Sequence, residues 1–128
     1  MMSTEEFQEH QKKFLGGLLE VCRIKQREYT DGDNAFHNFE ETVGISMAKE
    51  RETVAWEYSV KHLQSVRDII KHVEVGGEVN GFPTQALLDE KFGDIIVYMT
   101  LMHGMLSDRV AKYEEEQKLK YEPEGSPV

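Results

Sequence analysis

Apolar residues recur along this chain at steps of three and four, the spacing of one helix face, in three stretches separated by turn-forming segments. Ser3 followed by Glu6 reads as a capping box. Phe7, Phe14, Leu15, Leu18 and Cys22 then form a stripe that predicts a helix to about Tyr29. Gly16-Gly17 inside it costs about 1 kcal/mol per glycine relative to alanine, which predicts a kink or a close helix contact. Residues 30–41 are turn-forming, and Phe36 and Phe39 are expected to anchor this loop in the core. A second helix is predicted from near Ser46 to just before Gly76-Gly77, with Trp56, Val60, Leu63, Val66, Ile70 and Val73 as its stripe. A third, capped by Thr84, is predicted to about Glu116, with a core stripe of Leu88, Phe92, Ile95, Met99, Met102, Leu106 and Val110. It carries a second, partly apolar line: Asp94, Tyr98, Leu101 and Met105. A helix apolar on two faces is central or covered by a second subunit, and both are expected here. The fold class predicted is all-α, an antiparallel helical bundle built on three main helices and completed by oligomerisation. It forms one domain, 1–116, followed by a disordered acidic tail, 117–128.

Charge narrows the partners. The chain has 24 acidic against 15 basic residues, a formal charge of −9, and no basic cluster, which argues against a nucleic-acid backbone as ligand. No apolar run approaches the ~20 residues of a membrane span, so no membrane partner is expected. The opening residues lack the basic and apolar regions of a signal peptide, and Cys22 has no second cysteine to pair with. A cytoplasmic protein is predicted.

Within that frame Asp94 stands out. It is the single charge in Phe92-Gly93-Asp94-Ile95-Ile96-Val97-Tyr98-Met99, and a lone buried carboxylate costs several kcal/mol unless a cation or donors satisfy it. A metal ion, backbone donors, or a lysine or arginine from another helix would each serve. Glu90 shares its face one turn earlier, with Lys91 beside it. Glu50, Glu57, Lys61, Gln64 and Asp68 form a polar line on the second helix. It is either a solvated face or, if turned toward Asp94, one wall of a divalent-cation site. Lys25, Glu28, Tyr29, Asp33, Asn34, His37 and Asn38 make a third patch, able to hold a phosphate and a base or simply a loop tied by Asx hydrogen bonds. His10, His62, His72 and His103 read as structural. Cys22 reads as a small apolar residue. No Walker loop, zinc spacing, nucleophile elbow or Rossmann fingerprint is present.

Two segments resemble the all-α nucleoside triphosphate pyrophosphohydrolase (MazG-like) superfamily, and within it the small phage-type branch described as nucleotide-modification-associated. One is Lys25-Gln26-Arg27-Glu28-Tyr29 with Asp33-Asn34-Ala35-Phe36-His37-Asn38-Phe39. The other is Glu90-Lys91-Phe92-Gly93-Asp94-Ile95-Ile96-Val97-Tyr98. The resemblance implies a dimeric or tetrameric helical bundle with a Mg2+ site that cleaves a nucleoside triphosphate to monophosphate and pyrophosphate. Asp94 then matches the metal carboxylate of an E-x-x-D motif. Lys91 stands where its glutamate belongs, with Glu90 one position away. Glu57 and Glu50 are followed three residues later by Val60 and Thr53 where E-x-x-E is expected, so two of the four metal carboxylates are absent.

Three functions follow as expectations. In the first, Asp94, Glu57 and Glu90 bind Mg2+, Asp94 and Glu57 carry the catalysis, and the metal activates water against a triphosphate. Lys25 and Lys61 contact phosphates, Tyr29 or Trp56 stacks on the base, and Asn34, Asn38, Lys91 and Tyr98 complete the substrate contacts. In the second, Lys91 neutralises Asp94 in place of a metal and the chain binds or sequesters a nucleotide without cleaving it, as a phage counter-defence protein does. In the third, the chain is a helical adaptor that engages another protein through the second face of its last helix. A homodimer or homotetramer is expected in either nucleotide reading.

Overall fold

The computed structural model describes residues 1–29, 32, 34–76 and 81–121. Within them the chain forms four helices and no strand: α1 (Thr4–Tyr29), α2 (His37–Val43), α3 (Arg51–Glu74) and α4 (Gln85–Tyr121). The all-α expectation holds, and the three long helices lie where the apolar spacing put them. Their ends follow the capping chemistry. Ser3 Oγ accepts the N–H of Glu6 at 3.1 Å, and Thr84 Oγ1 accepts that of Leu87 at 3.1 Å. Gly76 takes φ +73° just past α3, a left-handed conformation that glycine adopts without penalty.

Three boundaries differ from expectation. The aromatic segment foreseen as loop contains the short helix α2. α3 begins at Arg51 rather than near Ser46, because Ser46 Oγ accepts the N–H of Ala48 at 3.0 Å and so caps a turn ahead of the helix. α4 continues through residues 117–121, foreseen as tail; Gln117-Lys118-Leu119-Lys120 are strong helix formers. The remainder of the foreseen tail, 122–128, lies outside the described residues, as do Gly77, Thr30, Asp31 and Asp33.

The core gathers where α2 sits on the α3–α4 pair: Phe39, Val54, Ala55, Tyr98 and Met105, with Phe36, Val43, Ala48, Leu101 and Met102 packed around them. Phe39 is fully buried, its ring edge-on to Tyr98 at 6.1 Å. The two loop phenylalanines therefore anchor this segment as foreseen. α3 runs antiparallel to α4: Arg51, at the start of α3, reaches Asp108, while Ile69 and His72 near its end line a cavity with Leu87.

The faces turned inward are not the bulkiest ones. α3 buries Val54, Ala55, Ser59 and Ile69, and its foreseen stripe leaves Trp56, Leu63, Ile70 and Val73 exposed. α4 buries Gly93, Asp94, Val97, Tyr98 and Met105, the line foreseen as secondary; Phe92, Met99, Leu106 and Val110 point outward. On α1, Leu18 is buried, while Phe7 and Leu15 are exposed. The physical reason is closeness of approach. A Cβ added to Gly93 would meet Leu18 Cδ2 at 3.2 Å, and one added to Gly104 would meet Phe36 Cζ at 3.2 Å. Small side chains on the inner faces let the neighbouring elements come within such contact, and the larger side chains then lie outside. Gly16 and Gly17, by contrast, have nothing within 4 Å of an added Cβ and mark no close contact.

Candidate functional site

Gly93 makes room for Leu18, and that approach draws α1 against α4. Two helical turns beyond Leu18 comes Lys25, whose Nζ stands 3.4 Å from Asp94 Oδ1. From α3, His62 Nδ1 stands 3.5 Å from Asp94 Oδ2. The carboxylate is 10% exposed and held between groups from two other helices. The His62 ring lies 5.0 Å from that of Tyr98, which in turn packs on Phe39, so the cluster rests directly on the aromatic core. The need for positive company that the sequence places on Asp94 is thus met by an ion pair across helices, the simplest of the options.

The residues foreseen as Mg2+ ligands do not converge. Glu57 is exposed on α3, five residues and so about 140° around the helix from His62. Glu90 shares the Asp94 face one turn earlier but extends into solvent, 4.0 Å from Lys91. Among the described residues no group of three or more His, Cys, Asp and Glu side chains is set to hold an ion. Mg2+ takes about six oxygen ligands, mostly carboxylate, water or phosphate. One carboxylate flanked by an ammonium and an imidazole does not fit it.

The foreseen substrate contacts divide. Lys25 and Tyr98 join Asp94, and Lys91 lies one turn away on α4. Trp56 and Lys61 are exposed on α3, on its outer side. Asn34 is spent on its loop: its Oδ1 accepts the N–H of Phe36 at 3.1 Å and its Nδ2 donates to Glu40 at 2.8 Å. That is the Asx-type role given as the alternative for this patch. Asn38 is exposed on α2. Tyr29 ends α1, and its side chain lies outside what is described.

Two participants escape a reading of the sequence alone. His62, read as structural, is the third member of the Asp94 cluster. Its signal is register: it falls on the same α3 face as Ala55 and Ser59, the small residues turned inward. The other is Arg51, whose guanidinium donates to Glu40 at 2.8 Å, to Asp108 at 2.9 Å and to the Met105 carbonyl at 3.3 Å, 4.9 Å above the Phe36 ring. Arg109 beside it pairs with Glu50 and Glu52. Hydrogen bonding from Arg109 holds the Glu52 carboxyl below the usual carboxylate range despite partial burial. Asp108 is held low by Arg51 and then by Lys112. Glu40, Glu50, Arg51, Arg109 and Lys112 rim an open cleft of about 300 Å3 with Val43 and Lys49. Its arginines and Lys112 are already matched by carboxylates, so it reads as a clamp joining α2, α3 and α4.

Compared with protein-family models, with curated proteins and with solved structures, the chain has no match. No described helix is long and apolar enough to cross a membrane.

Proposed function

We propose that the chain binds a nucleotide, or a small molecule derived from one, beside the Lys25–Asp94–His62 cluster, and does so as a cytoplasmic homo-oligomer without a divalent ion. The observation that carries this reading is the state of Asp94: buried, paired to Lys25, and part of no metal-holding group of side chains among the described residues. Lys25 retains about a third of its side-chain exposure, so its ammonium can meet a phosphate while Asp94 holds it in place. His62 is also partly open to solvent and is braced by Tyr98, and Lys91 adds a second ammonium one turn away. The resemblance to MazG-like proteins supports the ligand class. The missing carboxylates favour binding over pyrophosphate release. The lone, half-buried Cys22 suits a reducing compartment.

The test is a panel of ribo- and deoxyribonucleotides, each with Mg2+ or with EDTA, read by melting temperature and by pyrophosphate release. A ligand at a hundred times its Kd stabilises by about 2.7 kcal/mol. The expected result is a rise in melting temperature for at least one nucleotide that EDTA leaves intact and Lys25→Ala removes, with no pyrophosphate. Silence across the panel would sink the reading. Pyrophosphate release that needs Mg2+ and vanishes in Asp94→Ala would replace it with the hydrolase.

A further inference from the structure

Ahead of the Leu18–Gly93 contact, α1 and α4 part. One turn before Leu18 stands Phe14, and one turn before that His10; they face Gln85 and Asp89, with no glycine on α4 to admit them. Two adjoining cavities of about 270 and 220 Å3 open between the helices there, both bordered by His10, Phe14, Gln85 and Asp89. Lys13 completes the first, Leu88 and Phe92 the second. The His10 ring lies nearly parallel to that of Phe14, at 7° and 6.3 Å, and so extends the apolar wall that Phe14, Leu88 and Phe92 make. None of these residues belongs to the Lys25–Asp94–His62 cluster.

Two opposite charges border this groove without partners of their own. Asp89 Oδ1 accepts from Gln85 Nε2 at 2.9 Å, and among the described residues the carboxylate has no cation. Lys13 forms no ion pair among the described residues, and so does not reach Asp89 although both line one cavity. We propose that the groove binds a free α-amino acid with a large apolar side chain. Its ammonium meets Asp89, its carboxylate meets Lys13, and its side chain lies among Phe14, Leu88 and Phe92. Charge complementarity selects this class. A simple amine would satisfy Asp89 but face the Lys13 ammonium. A simple carboxylate would satisfy Lys13 but face Asp89 and the field of a chain with a charge of −9. A zwitterion gives each side chain a charge-assisted partner and is neutral overall. The rings of Phe14 and Phe92 attract an ammonium and pack well on an aromatic or branched side chain. Size agrees, because both cavities fall below the ~300 Å3 at which ordinary small-molecule sites begin, room for an amino acid rather than a nucleotide.

This inference is independent of the nucleotide reading. The full chain is titrated calorimetrically with L-phenylalanine and L-leucine. Glycine, phenethylamine and hydrocinnamate run beside them, lacking in turn the side chain, the carboxylate and the ammonium. The expected result is saturable binding of at least one of the two amino acids, weakened about tenfold in each analogue and about tenfold by Asp89→Asn or Lys13→Gln. Both positions are exposed, and Asp89→Asn keeps the oxygen that accepts from Gln85, so the variants keep their fold, checked by circular dichroism. The analogue series needs no variant and decides the matter alone if either one loses helicity. No saturable binding of either amino acid would overturn the inference, as would an analogue that binds as tightly as its parent or variants with wild-type affinity. Lys25→Ala, which is expected to abolish the nucleotide shift, leaves amino-acid binding intact; a loss there would move the ligand to the Asp94 cluster and end the separate site.

Discussion

Asp94 and Arg51 solve the same problem, a charge removed from water, with different amounts of help. Asp94 has two neighbours at 3.4 and 3.5 Å, while Arg51 has two close carboxylates, a carbonyl and an aromatic face. Removing Arg51 leaves Glu40 to Asn34 and Asp108 to Lys112, and takes a donor from the Met105 carbonyl. Arg51→Ala is expected to cost about 2–3 kcal/mol, read from the urea midpoint. A loss under about 0.5 kcal/mol would show that water satisfies those groups as well as the guanidinium does. The requirement behind Asp94 was legible because seven uncharged neighbours surround it in sequence, and Lys25 already stood among the candidates. Arg51 was not legible. It lies between glutamates in a polar segment, and its decisive partner Asp108 is 57 positions away, beyond any local pattern.

For the elements, helical spacing located the long helices well and chose their inner faces badly. A 3.6-residue stripe of large side chains shows that a face is apolar; it does not show which of two apolar faces the neighbouring helix meets. Ala55, Ser59, Gly93 and Gly104 decide that here, and small residues leave a weak imprint on a hydrophobicity pattern. The same mismatch governs α1. Gly16 and Gly17 lie on open helix surface, so Gly16→Ala and Gly17→Ala should each raise stability by about 1 kcal/mol through helix propensity alone. Denaturation midpoints check this. A fall in either variant would mean that another surface packs over these glycines.

For the molecule as a whole, the clamp at the α2–α3 junction ties stability to acid. Glu52 and Asp108 are held below their ordinary values by the arginines, and Glu40 by Asn34 first and Arg51 after it. A depressed carboxyl contributes stability that is fully present above its unfolded value and lost as pH falls through the folded one. The net negative charge works the other way, since titration toward the isoelectric point near 5.0 relieves self-repulsion. The melting temperature is therefore expected to hold or rise slightly from pH 7 to about pH 5 and to fall below about pH 4. Stability still climbing at pH 3 would show that the clamp carboxylates are not bound more tightly in the fold than out of it.

α4 also sets a distance. Its 37 residues span about 55 Å, against roughly 36 Å for the diameter of a compact chain of 128 residues. Asp94 sits near one quarter of that rod, and Tyr121 is about 40 Å further along it. A fluorophore, affinity handle or fused protein joined just past Tyr121 would ride on a rigid boom, out of reach of the ligand cluster. The same cargo ahead of Thr4 would begin on the helix that supplies Lys25.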